Sequence, residues 1–191
     1  AGDFERRGQT YLRAELVLYD ERPPFGCAEN TTLFGSAHCP GENKVFIDLA
    51  RYRDLDRRFR SAADAIQAYV IAHELGHHVQ GLMGLDVKVQ EALARRPVHT
   101  HWRGVQLELQ ADCLAGVWAR QTRTSGLLEK ADFERVLKQT NLDGRARQVG
   151  SENTGALSEN YTYAIPRRRL YWFVTGFAQA NILDCDTFAT D

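Results

Sequence analysis

The stretch Ala68–Gln80 constrains this chain more than any other, because it contains the pattern H-E-x-x-H at His73, Glu74 and His77. On a helix, residues four apart differ by about 40° in azimuth and about 6 Å in height, so both imidazoles project from one face. Two imidazoles suit zinc, and the adjacent carboxylate suits a general base for metal-assisted hydrolysis. The alternative is a coincidental pentapeptide in an ordinary helix.

The surrounding residues predict that this stretch is helical. Ser61-Ala-Ala-Asp64 has the form of a capping box, and Gly81 and Gly84 are placed to end the helix. An apolar stripe recurs at i, i+3, i+4 and i+7 spacing, formed by Ala68, Ile71, Ala72, Leu75, Val79 and Leu82. Because this stripe lies nearly opposite the two histidines, we expect one side of the helix to pack and the other to be free for chemistry.

A second stretch, Val105–Trp118, also has helical periodicity and places Glu108 and Asp112 four residues apart on one face. A catalytic zinc with two histidine ligands needs a third protein ligand, and Glu108 can supply it. Asp112 can accept the second ring N–H of His73 and so fix that ring. The alternative is an acidic pair on a solvated face, but these carboxylates stand among apolar residues, where unpaired charges are costly.

Two further histidines, His99 and His101, lie in the poorly patterned stretch from Leu85 to His101, which we interpret as a lid or a substrate-facing loop. Either could replace Glu108 as a metal ligand. A single histidine in a loop is usually an ordinary surface residue.

At 191 residues, with 43% hydrophobic and 26% charged side chains, the chain has the size and composition of one domain spanning 1–191. The formal charge of −1 gives no reason to expect nucleic acid as a partner, and we read the runs 51–60 and 167–169 as solvated helix faces. No apolar run approaches the ~20 residues that cross a bilayer. Because the chain begins at Ala1 without a signal peptide, we expect that a leader or an N-terminal anchor was removed, or that the chain was trimmed.

The four cysteines are Cys27, Cys39, Cys113 and Cys185, which allow three pairings. Proximity in the sequence favours Cys27–Cys39, and elimination then leaves Cys113–Cys185. Two disulfides imply an oxidising compartment, hence a secreted or membrane-tethered, extracytoplasmic protein. The alternatives are four reduced thiols, or a structural zinc site from Cys27, His38 and Cys39, which lacks an evident fourth ligand.

The remaining pattern predicts an α+β fold, with a small antiparallel sheet and several helices, including the H-E-x-x-H helix packed under the sheet. The predicted strands are 14–19, 31–34 and 44–48, with the last two joined as a hairpin across 39–43. The predicted helices, besides the two above, cover 3–11, 49–60 and 133–142, and a final helix opens at Pro166.

H-E-x-x-H followed on a later helix by E-x-x-x-D resembles the gluzincin type of zinc peptidase. More narrowly, four segments resemble the putative neutral zinc metallopeptidase family: Cys39–Leu49, Ala68–Gln80, Leu107–Trp118 and Cys185–Phe188. The resemblance implies a zincin-like peptidase domain, often behind an N-terminal membrane anchor. It matches His73, His77 and Glu108 to the zinc ligands and Glu74 to the base. It matches Asp112 to the residue that accepts a hydrogen bond from a ligating histidine.

One position departs from the family pattern. The family has a Thr-His-Gly-like stretch before the last helix, where this chain reads Tyr161-Thr-Tyr163-Ala164. Tyr163 therefore stands in place of a histidine. A phenol can donate to an oxyanion, so we expect Tyr163 to be a catalytic donor, with Tyr161, His99 and His101 as other candidates and a packed ring as the alternative.

The sequence thus predicts a zinc-dependent hydrolase of peptide or protein substrates. Endopeptidase action is favoured because no motif for binding a free N-terminus is visible. An exposed strand of the hairpin could hold an extended substrate. Two other classes remain open: a catalytically silent zincin-like protein that binds a protein or peptide partner, and a structural or regulatory zinc module. An intact Glu74 argues against both, because neither needs a carboxylate there.

Overall fold

A computed structural model of the chain describes residues 2–20, 36–39, 41–59, 63–85, 100–122, 131–132, 134–135 and 159–189. Within these ranges, the side chains of residues 58–59, 100–103 and 159–166 are not described. Within the described residues, the strands occur together in the N-terminal part of the chain and the long helices follow them, as the α+β class predicts. In order, they are α1 (Gly2–Arg6), β1 (Glu15–Tyr19), β2 (Ala37–Cys39), β3 (Lys44–Asp48), α2 (Leu49–Phe59), α3 (Ala63–Leu82), α4 (Thr100–Gln121), α5 (Glu159–Gln179) and a 3-10 turn at Ile182–Asp184.

The three strands form one mixed sheet in the order β1-β3-β2. β3 runs antiparallel to β2 and parallel to β1, with Val45 beside His38 on one side and Leu16 on the other. The prediction of a purely antiparallel sheet was therefore wrong. The chain between β1 and β3 is long enough for the crossover that a parallel pair requires, whereas a short turn returns β2 directly onto β3.

A hairpin joins β2 to β3 at the predicted turn. Its turn places Gly41 at φ 83° and Asn43 at φ 53°, the left-handed region that glycine and asparagine tolerate best. The first strand of the hairpin lies next to this turn, at Ala37–Cys39, whereas the predicted segment 31–34 is outside the described residues.

Helix α3 packs under the sheet, at the centre of the main core. Its residues Ile66, Tyr69 and Val70 are buried in one cluster with Val45 and Ile47 of β3. The predicted apolar stripe of α3 does not coincide with its buried side. Ile71, Leu75 and Val79 of the stripe are partly exposed, whereas His73 and Glu74 are each 1% exposed. The expectation that the histidine side is open was wrong for His73, since α4 covers that side.

Helix α4 packs closely against α3 and α5. A Cβ added at Gly116 would lie 2.1 Å from the carbonyl oxygen of Phe173, and one at Gly176 would lie 1.9 Å from that of Cys113. Only glycine permits this approach of α4 and α5. On the other side of α4, a Cβ at Gly76 would lie 2.8 Å from the carbonyl oxygen of Ala111. These backbone contacts fix the three helices that carry the candidate site.

Helix α5 begins at Glu159, so the prediction that Pro166 opens the last helix was wrong. A proline in the sequence does not distinguish the first turn of a helix from an interior position, where it removes one backbone hydrogen bond. The helix predicted over 133–142 lies mostly outside the described residues. None of the helices in the described ranges combines the length and the apolar character needed to cross a bilayer.

The disulfide Cys113–Cys185 is present, as predicted, and ties the C-terminal segment to α4. Cys39 is disulfide-bonded as well. Its predicted partner, Cys27, lies outside the described residues.

Candidate metal centre

Three side chains from two helices meet at one point: His73 and His77 of α3 and Glu108 of α4. The two Nε2 atoms lie 3.1 Å apart. Glu108 places Oε2 3.2 Å from His73 Nε2 and Oε1 3.4 Å from His77 Nε2. The structure therefore brings together the three residues that the sequence predicts as metal ligands, with their ligand atoms within 4.8 Å of one another.

Hydrogen bonds at the far side of each ring set the tautomers of the two histidines. His73 Nδ1 lies 3.0 Å from Asp112 Oδ1, and His77 Nδ1 lies 2.8 Å from Gln80 Oε1. Carboxylate and carbonyl oxygens only accept, so each Nδ1 carries the proton and donates it. In the neutral form of each imidazole, Nε2 therefore presents a lone pair that can bind a proton or a metal ion beside the Glu108 carboxylate.

This donor set fits a zinc ion. A tetrahedral zinc with bonds of about 2.0–2.1 Å holds its ligand atoms about 3.3 Å apart. The distances of 3.1, 3.2 and 3.4 Å between the three side chains match that spacing. Two lone pairs and a carboxylate at this distance repel one another unless a cation lies between them. The Glu108 side chain is 49% exposed, so solvent reaches the site from its side.

The electrostatics of the site also favour a positive charge. Burial lowers the pKa of His73, but its hydrogen bonds to Asp112 and Glu108 outweigh this and raise the pKa to about 10. Partial desolvation opposes ionisation of Glu108, whose side chain is half-exposed, yet its contacts with His73 and His77 hold its pKa well below the usual range. The position between these groups therefore stabilises a cation, either a proton or a metal ion.

Asp112 is buried completely and belongs to a network with Arg169 of α5 and Tyr69 of α3. Arg169 donates from Nε to Asp112 Oδ2 at 2.7 Å and from Nη2 to Oδ1 at 3.0 Å. Tyr69 donates its hydroxyl to Oδ1 at 2.6 Å. Burial raises the pKa of Asp112, but Arg169 and His73 outweigh it and lower the pKa. Asp112 is thus an ionised acceptor for His73, in the position that the sequence predicts.

Sequence reasoning missed three residues around the site: Tyr69, Gln80 and Arg169. Tyr69 precedes His73 by one helical turn and Gln80 follows His77 by three residues, so helical spacing alone could have identified both. The interpretation of the run 167–169 as a solvated face was wrong for Arg169, which pairs with buried Asp112. No local signal identifies Arg169, because its role depends on how α5 packs against α4.

Glu74 lies between the metal centre and β2. Its Oε2 accepts a hydrogen bond from the backbone N–H of His38 at 2.8 Å. Its Oε1 is buried and has no hydrogen-bond partner among the described residues. Burial raises the pKa of Glu74, against the lowering effect of His73 and His77. One oxygen is therefore fixed, and the other is available to a molecule entering the site.

The structure leaves the other predicted site residues without a described position for their side chains. Tyr161 and Tyr163 lie in the first turns of α5 and His101 lies in the first turn of α4, in each case with the side chain undescribed. His99 is outside the described residues. The catalytic role of Tyr163 stays a prediction.

The fold and the site define an α+β chain with a His/His/Glu group that could hold a metal. The model of one family, described as putative neutral zinc metallopeptidase, matches residues 1–188, and the chain belongs to this family. The resemblance found in the sequence is thereby confirmed.

Two bacterial relatives are similar over almost the whole chain. "Uncharacterized protein YpfJ" of Escherichia coli K12 is 34% identical over 186 residues, which cover 97% of this chain and 65% of the relative. "Uncharacterized protein Mb2605" of Mycobacterium bovis is 30% identical over 191 residues, covering 94% and 64% respectively. The chain thus spans slightly less than two thirds of the length of these relatives. No solved structure matches it.

Proposed function

We propose that this chain is a zincin-like, zinc-dependent peptidase domain that hydrolyses peptide bonds in peptide or protein substrates. The observation that carries the proposal is the convergence of His73, His77 and Glu108 near Glu74, whose Oε1 has no hydrogen-bond partner among the residues that the structure describes. The three ligands would hold the zinc. When bound, the zinc would polarise the scissile carbonyl and lower the pKa of the attacking water.

Glu74 is the general base of the proposed reaction. Its Oε1 takes a proton from the attacking water, and the same carboxyl then gives a proton to the leaving amine. The raised pKa of Glu74 helps, because a carboxylate that holds a proton more readily is a better base. The N–H of His38 keeps the carboxylate in place during both transfers.

Strand β2 is the proposed support for the substrate. It lies at the edge of the sheet, and the N–H of His38 reaches away from β3 toward Glu74. An extended peptide added along this edge would place its backbone next to the base. We propose endopeptidase action, since the sequence offers no motif for a free N-terminus, and an extracytoplasmic location, which the Cys113–Cys185 bridge supports.

The second candidate function is a silent zincin-like protein that binds a peptide or protein partner without cleaving it. Tyr163, in place of the family's histidine, is the observation that favours it. The two candidates differ in a single measurable property, the cleavage of peptides by the zinc-loaded chain.

The deciding experiment is digestion of a mixed peptide library by wild type, Glu74→Gln and Glu42→Gln, each loaded with zinc. The account predicts cleavage by wild type and a loss of about 10²–10⁴-fold in Glu74→Gln at unchanged zinc content. Glu42→Gln is the matched control, because Glu42 is an exposed glutamate in the β2–β3 turn. Absence of wild-type cleavage at full zinc occupancy would support the silent alternative.

A further inference from the structure

The second metal ligand, His77, is held by a neutral side chain rather than by a carboxylate. His77 Nδ1 donates to Gln80 Oε1 at 2.8 Å. Gln80 is 2% exposed, and its Nε2 donates to the carbonyl oxygen of Leu107 at 2.8 Å and to Gln110 Oε1 at 3.0 Å. Both N–H groups of the Gln80 amide are therefore used, and its oxygen accepts the hydrogen bond from His77.

A second buried glutamine continues this chain of hydrogen bonds. Gln110 is 5% exposed, and its Nε2 donates to the carbonyl oxygen of Cys185 at 2.8 Å. A backbone carbonyl only accepts, so Gln110 must turn its Nε2 toward Cys185 and its Oε1 toward Gln80. Gln80 must then turn its Oε1 toward His77. The direction of every bond is fixed by the carbonyl at the end.

The carbonyl of Cys185 is itself held in place. The disulfide to Cys113 ties residue 185 to α4, one turn beyond Gln110. Two residues further on, Thr187 accepts a hydrogen bond from Gln106 Nε2 at its carbonyl and donates its hydroxyl to the carbonyl of Gln106 at 2.7 Å. The C-terminal segment is thus fixed against the helix that carries Glu108.

We propose that Gln80 and Gln110 are positioning residues that couple the Cys113–Cys185 disulfide to the metal centre. Through them, the fixed carbonyl of Cys185 sets the tautomer and the orientation of His77. The metal centre reaches its full affinity only when the bridge has formed. The inference rests on the metal-holding part of the proposed function and is independent of peptide hydrolysis.

The test is the zinc dissociation constant, measured by competition with a chromogenic chelator. Replacing a residue that is hydrogen-bonded to a metal ligand typically costs 10–100-fold in metal affinity, and we expect such a loss for Gln80→Met. For Gln110→Met we expect a smaller loss, of about ten-fold or less, because Leu107 still anchors Gln80. Gln121→Met is the matched control, because Gln121 is an exposed glutamine at the end of the same helix, so the zinc dissociation constant should stay within about two-fold.

The disulfide is tested by replacing Cys113 and Cys185 with alanine together. The double variant should weaken zinc binding about as much as Gln110→Met does, and adding Gln110→Met to it should cause little further loss. A nitrogen NMR spectrum of the histidine side chains in the zinc-free protein gives an independent readout. The neutral form of His77 should carry its proton at Nδ1 alone in wild type and should be a mixture of both tautomers in Gln80→Met.

Two results overturn the inference. One is an unchanged zinc dissociation constant and an unchanged His77 tautomer in Gln80→Met. The other is an equal loss in Gln121→Met and Gln110→Met, which would mean that the loss is not specific to the hydrogen bonds between His77 and Cys185. Failure of the proposed hydrolysis has a different signature, namely tight zinc binding by wild type without peptide cleavage, and that result leaves the coupling intact.

Discussion

Replacing Arg169 with methionine should strongly destabilise the zinc-free protein. Asp112 is 0% exposed and loses two hydrogen bonds, of 2.7 and 3.0 Å, when the guanidinium is removed. Breaking a buried ion pair by deleting one partner costs about 3–5 kcal/mol. The Arg169 side chain is 21% exposed, and Tyr69 and His73 still contact Asp112. We therefore expect the lower end of that range, about 3 kcal/mol.

The assay is urea unfolding at neutral pH after removal of metal. Arg167→Met is the matched control, because Arg167 is an exposed arginine of the same helix, and it should change the free energy of unfolding by about 0.5 kcal/mol or less. In an Asp112→Asn background, Arg169→Met should cost clearly less than in wild type. The reasoning is refuted if Arg169→Met costs no more than Arg167→Met.

The same pair predicts a dependence on pH. Arg169 lowers the pKa of Asp112, so its stabilising effect is present above the pKa of Asp112 in the unfolded chain and is lost as the pH falls through the lower, folded-state pKa. The difference in stability between wild type and Arg169→Met should therefore narrow below about pH 4.

Three further predictions concern other parts of the molecule. Tyr163→Phe should lower kcat by about 10²-fold with zinc content and folding intact, whereas activity within a few-fold of wild type would mean that the phenol only packs. The pKa of His73 is raised to about 10, so the zinc-free protein should lose stability as the pH rises from about 6.5 through 10. In urea titrations, the free energies of unfolding of wild type and His73→Phe should therefore converge at the alkaline end of this range. Gly176→Ala would place a Cβ 1.9 Å from the carbonyl of Cys113, so thermal unfolding should show a loss of about 1–3 kcal/mol or more.

The parts of the site that could be predicted from the sequence lie on single helices. His73, Glu74 and His77 are related by helical spacing, as are Glu108 and Asp112, so local periodicity places each group on one face. These two groups come together if α3 and α4 pack against each other. The sequence implied this packing, because two histidine ligands need a third protein ligand to hold a catalytic zinc. The disulfide Cys113–Cys185 followed from pairing by elimination.

The parts that were missed depend on contacts between distant segments. The parallel pairing of β1 with β3 could not be predicted from the strands themselves, because the alternation of residues 14–19 is the same in either direction. Arg169 resembles its exposed neighbours until α5 is placed against Asp112. The buried side of His73 was misjudged because the apolar stripe of α3 does not reveal that α4 covers the polar face.

The central claim, a zinc ion held by two imidazoles and a carboxylate, is tested most directly by zinc K-edge X-ray absorption on the zinc-loaded chain. The account predicts one zinc per chain, with two imidazole ligands and only nitrogen or oxygen neighbours at about 2.0–2.2 Å. In Glu108→Ala, the occupancy should fall. A sulfur neighbour at about 2.3 Å would contradict the assignment. Full occupancy without Glu108 would also contradict it, and would return His99 and His101 to consideration as ligands.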